Sequence, residues 1–112
     1  MDSRAFLGLV QQSETTFSLS VIPQLTTSGG FLFGGAGLGA GIAALETVSQ
    51  RRCTWATAQY LSYAKRDEHV QIDVTVAVSG SSVTQARAVC RVDDREVLTV
   101  NAALGDRDFA AS

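Results

Sequence analysis

The stretch 31–49, FLFGGAGLGAGIAALETVS, constrains the fold more than any other part of this chain. Leu38, Ile42, Leu45 and Val48 fall at spacings of four, three and three, one stripe of a helix with 3.6 residues per turn. Gly35, Gly39 and Ala43 recur at every fourth position and form a strip of small side chains. Each interior glycine costs a helix about 1 kcal/mol against alanine, and this segment also carries Gly37 and Gly41. So weak a helix needs an offset from outside. A sheet or ligand lying close against a side-chain-free surface supplies one. The expectation is a central helix wrapped by a sheet.

The flanking residues supply the strands. Phe17, Leu19 and Val21 alternate with Ser18 and Ser20, and Pro23 closes that strand or holds it to an edge. Thr26, Thr27 and Ser28 are candidate caps for the helix. From Cys53 onward the period is two. Trp55, Thr57, Gln59, Leu61 and Tyr63 share one face, and Ala56, Ala58, Tyr60 and Ser62 the other. A charged turn at 65–68, KRDE, precedes the clearest strand, Val70 to Val78. Gly80–Ser82 and Asp93–Asp94 are turns, and strands about Thr84–Val92 and Glu96–Leu104 follow. Four strands in sequence read as an antiparallel meander, which the first strand must join because a lone strand has no partner. Residues 1–12 are a short helical turn or lie loosely on the surface.

Composition narrows the function. At 112 residues, with 46% hydrophobic and 18% charged side chains, the chain suits one globular domain. A net charge of −2 argues against a nucleic-acid partner, which calls for a basic patch. Arg51–Arg52 and Lys65–Arg66 are short basic pairs, read as solvated loops, with phosphate contact as the rival reading. No secretory signal is visible at the N-terminus, so a cytoplasmic location is expected. Cys53 and Cys90 fit no metal spacing and read as reduced, buried thiols. Glycines and Glu46 argue against 31–48 as a membrane span. Gly35-x-Gly37-x-x-Ala40 formally matches a dinucleotide fingerprint. That motif needs a parallel βαβ unit and an acid about 20 positions on, where Trp55 stands, so no nicotinamide cofactor is expected. No G-x-S-x-G elbow is present, which disfavours a serine hydrolase.

The order of elements, with FGG at 33–35, WATAQYLSYAKRDEHVQIDVTV at 55–76 and QARAVCRVDDREVLTVNAALG at 85–105, resembles the N-terminal hotdog half of acyl-CoA thioesterases of the thioesterase II type. The resemblance covers about residues 15–105, with 1–14 and 106–112 peripheral. It implies an α+β hotdog fold, a curved antiparallel sheet of about five strands around one long helix. It also implies fatty acyl-CoA as substrate or ligand, no cofactor and no metal. The thioester carbonyl then meets backbone N–H groups at Phe33, Gly34 and Gly35, where a helix start offers free donors and partial positive charge. Such donors stabilise a developing oxyanion.

Departures from the family pattern leave the catalytic base open. The carboxylate that one-hotdog thioesterases carry about two turns past the Gly-Gly pair is missing at Gly41–Ala43, and Glu46 comes one turn later. Glu46 and Gln59 are the catalytic candidates, with Tyr60 and Asn101 for substrate binding. Against these stand plainer readings: Glu46 as a solvated residue near the helix end, and Gln59 as a contact to an edge or partner. His69 and Asp73 read as surface residues. The expected assembly is a homodimer or a pair with a second hotdog domain. The alternative to an enzyme is a non-catalytic half that binds acyl chains or serves as scaffold for a separate catalytic domain.

Overall fold

The structure is a computed structural model that describes residues 8–22, 25–30, 32 and 34–105. It contains β1 (Val10–Gln11), β2 (Thr16–Ser20), α1 (Gly34–Ser49), β3 (Arg52–Tyr60), β4 (His69–Ser79), β5 (Val83–Val92) and β6 (Arg95–Gly105). The strands form one antiparallel sheet in the order β1-β2-β4-β5-β6-β3. α1 touches β3, β4, β5 and β6. Four strands at a spacing of about 4.8 Å are wider than a helix of about 10 Å, so the sheet must curve to reach it.

Two expectations about topology need correction. First, β3 does not pair with β4. It crosses to the far edge beside β6, so the meander is β4-β5-β6 alone. The reason lies in the connection 61–68, which is longer than a hairpin turn and finds partners elsewhere. The amides of Leu61 and Ser62 donate to the Val97 carbonyl, Arg66 N–H to Gly30, and Asp67 N–H to Val21. Asp67 takes a positive φ of 72° within it. Second, the sheet has six strands, because Val10–Gln11 pairs with Phe17–Ser18.

The helix meets the sheet through a different strip from the one expected. The buried residues of α1 are Gly37, Ala40, Gly41, Ala43, Ala44 and Leu45. Gly35 is exposed, and Leu38, Ile42 and Val48 are half-buried on the flanks. Small residues at 37, 40, 41 and 44 let the helix lie on Leu98, Val100 and Ala88. A Cβ added at Gly41 would stand 2.9 Å from Val100 Cγ2. This closeness is the offset that the glycines need. Phe17, Leu19, Ile72, Leu98, Val100 and Leu104 complete the core beneath.

The buried alternation along β4 ends at Val74; Val76, opposite buried Ala86, is already exposed, and a bulge follows between Val76 and Val78. The extra residue shifts the phase, so Val78 pairs with outward-facing Gln85 and is exposed. A similar irregularity between Cys53 and Trp55 turns Trp55 outward. Thr26 bridges Leu32 to close the loop before α1, so Thr26, Thr27 and Ser28 do not cap the helix. Arg51 is no free loop cation. Its guanidinium donates to the Gly80 and Ser81 carbonyls and to Thr84 Oγ1, each at 2.9 Å.

Candidate functional site

The start of α1 borders a hollow of about 280 Å³. Leu32, Gly37, Val97 and Leu98 give it apolar walls, while Thr27, Tyr60, Ser62 and Tyr63 add polar atoms. Three separate stretches build it: the loop before the helix, the end of β3 with its crossing connection, and the start of β6. Leu32 N–H donates to the Ala64 carbonyl at 2.7 Å and fastens the first two together. Ser62 Oγ donates to the Glu96 carbonyl at 2.8 Å and fastens the second to the third.

Tyr60 ends β3 beside the helix start, and its hydroxyl donates to the Gly34 carbonyl at 2.8 Å. Its ring is about half exposed, at 54%. A methyl group at Gly37 would come within 3.3 Å of Leu98 and 3.4 Å of Leu32, so glycine keeps this part of the wall thin. The first turn of α1 contains no acidic residue. Its leading amides have no partner within the helix, and the helix dipole adds partial positive charge there. The hollow therefore combines an apolar wall with a donor-rich, electropositive mouth. That arrangement can seat an apolar chain and polarise a carbonyl at its end.

The residues singled out in the sequence fall in three places. Gly34 and Tyr60 line the hollow, and Gly35 is exposed in the same first turn. Phe33 lies outside the described residues. Glu46 sits near the other end of α1, twelve residues beyond Gly34, or about 18 Å along the axis. Its Oε2 accepts the Cys53 amide at 2.8 Å. Gln59 and Asn101 are on the sheet face turned away from the helix. Gln59 is exposed on β3 opposite Thr99. Asn101 Oδ1 accepts from Arg87 Nε at 2.9 Å, in a shallow groove of about 630 Å³ that Trp55, Thr75 and Gln85 also line.

Sequence reasoning missed Leu32, Val97 and Leu98 as walls of the hollow. Their apolar character marked them only as core, and no local spacing links them. His69 Nδ1 lies 3.1 Å from Ser20 Oγ at an exposed strand end. Asp73 is half-buried and paired with Arg91 at 2.9 Å. Burial pushes the Cys90 thiol up to about 12, with the nearby Asp73 charge adding to the effect. Cys53 is half-buried rather than fully so, and desolvation raises its thiol too. Neither cysteine is poised as a thiolate nucleophile. Among the described residues no helix is long and apolar enough to cross a membrane.

Comparison with known proteins agrees with this architecture. It is the hotdog fold of thioesterase-like proteins, shared with a conserved protein from Pseudomonas aeruginosa at a TM-score of 0.85 and 17% identity, over 94% of this chain and 93% of that one. The model of the acyl-CoA thioesterase N-terminal domain matches residues 22–105, and the chain belongs to that family. It is similar to a candidate thioesterase from Novosphingobium aromaticivorans, with 28% identity and a TM-score of 0.84. That match covers 89% of this chain but 41% of the Novosphingobium protein, so the chain spans about two fifths of its relative's length. A hypothetical thioesterase from Streptococcus pneumoniae, solved with coenzyme A, matches over 88% of this chain and 86% of that one, at 14% identity and a TM-score of 0.79. No curated protein matches the chain.

Proposed function

We propose that this chain is an acyl-CoA-binding hotdog domain of the thioesterase II type, and that it hydrolyses acyl-CoA only when paired with a second hotdog domain. The observation that carries the reading is the hollow at the start of α1. Its apolar wall suits the acyl chain, and the amides of the Gly34–Gly35 turn suit the thioester oxygen. Coenzyme A in the Streptococcus pneumoniae relative supports the ligand class.

No carboxylate lines this hollow among the described residues. Glu46 is spent on the Cys53 amide at the far end of the helix, and we assign it to holding β3 against α1. The group that activates water then comes from the second domain. β3 is the natural place for pairing. It is a nine-residue edge strand whose outer side has no strand partner among the described residues. Gln59 stands on that strand and would face the junction, where it can orient a water. The one-hotdog length of the Streptococcus pneumoniae relative favours a second reading, a homodimer in which another copy supplies the missing face. A cytoplasmic location and a role in lipid metabolism accord with either reading.

A binding titration with saturated acyl-CoAs from short to long, run beside a released-thiol assay, tests the proposal. The expected outcome is that acyl-CoA binds the purified chain, that Thr27→Trp blocks the hollow and abolishes binding, and that turnover is absent until a second hotdog domain is added. Thr27 is an exposed loop residue, so the fold tolerates the change. Sustained turnover by the chain alone would replace this reading with the self-sufficient homodimer. Binding that Thr27→Trp leaves intact would remove the hollow from consideration.

A further inference from the structure

We infer that the groove formed by Ser28, Gly29, Gly30, Lys65 and Arg66 is a phosphate subsite that holds the nucleotide end of coenzyme A. The inference rests on the acyl-CoA reading above and names where the charged end of that ligand docks.

The cations of the described structure divide into two groups. Arg51, Arg87, Arg91 and Arg95 are spent on protein partners: the 80–84 turn, Asn101, Asp73 with Glu96, and Glu68 with the Tyr63 carbonyl. Arg52, Lys65 and Arg66 make no side-chain hydrogen bond or ion pair among the described residues, and all three are exposed; Arg52 stands singly at the start of β3, whereas Lys65 and Arg66 are adjacent and line one groove. This adjacent pair is the basic half of the run Lys65-Arg66-Asp67-Glu68, which is neutral as a whole. Neither Asp67 nor Glu68 lines the groove that the two cations share, and the Glu68 carboxylate is bonded to Arg95 and the Lys65 amide.

The two cations share an open groove of about 340 Å³ with Ser28, Gly29 and Gly30. The facing wall is a hydroxyl and two glycines, which lets a bulky anion approach the backbone closely. Gly30 has a positive φ of 83°, so its lack of a side chain is built into the loop. The backbone of the groove is fixed. Arg66 N–H donates to the Gly30 carbonyl at 2.7 Å and Lys65 N–H to Glu68 Oε1 at 2.6 Å.

Position gives the groove its meaning. The same two segments wall the hollow one step earlier, through Thr27, Leu32, Tyr63 and Ala64. A ligand whose thioester lies at the start of α1 can thus run along one continuous seam and leave its other end over Lys65 and Arg66. Coenzyme A has that form: an apolar or neutral arm ending in phosphates. Phosphates prefer paired, donor-rich cations.

The test uses the full chain and a Lys65→Ala/Arg66→Ala variant, with Lys65→Gln/Arg66→Gln as a second form. The backbone bonds of both residues survive these changes. Calorimetry would compare octanoyl-CoA with octanoyl-pantetheine, which lacks phosphate. The expected result is about a tenfold weaker affinity for octanoyl-CoA in both variants, a shallower salt dependence, and unchanged affinity for octanoyl-pantetheine. Equal affinity of wild type and variants for octanoyl-CoA would overturn the inference. Adenosine 3′,5′-bisphosphate separates failure of the groove from failure of the hollow. If octanoyl-pantetheine does not bind but the bisphosphate does, and only with Lys65 and Arg66 present, the phosphate subsite stands and the acyl reading falls. If the bisphosphate does not bind wild type, the phosphate subsite is overturned.

Discussion

The two ends of α1 are built on opposite principles. At the C-terminal end Glu46, Thr47 and Arg51 each have a partner within the chain. Glu46 accepts the Cys53 amide, Thr47 Oγ1 donates to the Ala43 carbonyl at 2.7 Å, and Gln50 N–H closes the last turn on the Glu46 carbonyl with a φ of 57°. Arg51 ties the exit to the β4–β5 turn. At the N-terminal end Gly34 and Gly37 of the first turn border a hollow, and Lys65 and Arg66 line a groove formed by the same two segments. The difference separates structural from functional chemistry. A carboxylate near a helix end reads equally well as a base or as a clamp until its partner is known. A hollow with unspent donors is the stronger sign of a ligand.

The largest effect should come from the middle of the helix, where both ends take their support. Gly41→Val places a branched side chain where a Cβ alone would stand 2.9 Å from Val100, itself fully buried and stiff. We expect a loss of about 3 kcal/mol in stability by urea titration. Adding Val100→Ala should restore part of it, since the two residues share one contact. A loss that Val100→Ala leaves untouched would mean that the close approach is not what holds the helix. Glu46→Ala should act at one end only. Removing the acceptor of a half-buried amide costs about 1–2 kcal/mol, and Glu46→Gln, which keeps an acceptor, should recover much of it. Acyl-CoA affinity at the far end should stay the same in both. A Glu46→Ala variant of full stability and weakened ligand binding would reverse the roles assigned to the two ends.

Much of this was legible beforehand, and the parts that were not share a cause. The alternation Val70-Ile72-Val74 and the turns at Gly80 and Asp93 are local signals, and the strands stand where those signals put them. The partner of β3 is chosen by long-range contacts from 61–68, which no period in the sequence records. The helix strip was misread because Gly35 and Gly39 were as regular as Gly37 and Gly41, and only the sheet distinguishes them. Asn101 is a different case. The buried alternation Leu98, Val100, Ala102, Leu104 already implies that Asn101 faces away from the helix. The hollow was half visible: Gly34 and Tyr60 came from the family resemblance, while Leu32 and Leu98 come together only in three dimensions.

The smallest effect separates the two ends by pH. Glu68 braces the connection that walls the hollow. Its carboxyl is held below the ordinary 4.5, chiefly by the Lys65 amide that donates to it, with the Arg95 charge adding to this. Above 4.5 the carboxylate is ionised whether the chain is folded or not, and the brace contributes fully. As the pH falls below that value the unfolded chain takes up the proton first, and the contribution is lost as the folded carboxyl follows. Melting curves of wild type and Glu68→Gln should therefore differ at neutral pH, with wild type higher, and converge in acid. Hydrogen exchange locates the change. The amides of Leu32 and Arg66, which fasten the hollow and the basic groove, should speed up in acid relative to wild type at neutral pH after correction for intrinsic rates, more than those of Gln50 and Cys53. Equal loosening at both ends would show that the brace acts on the whole fold, and the helix start would lose its claim to be the independently adjustable end.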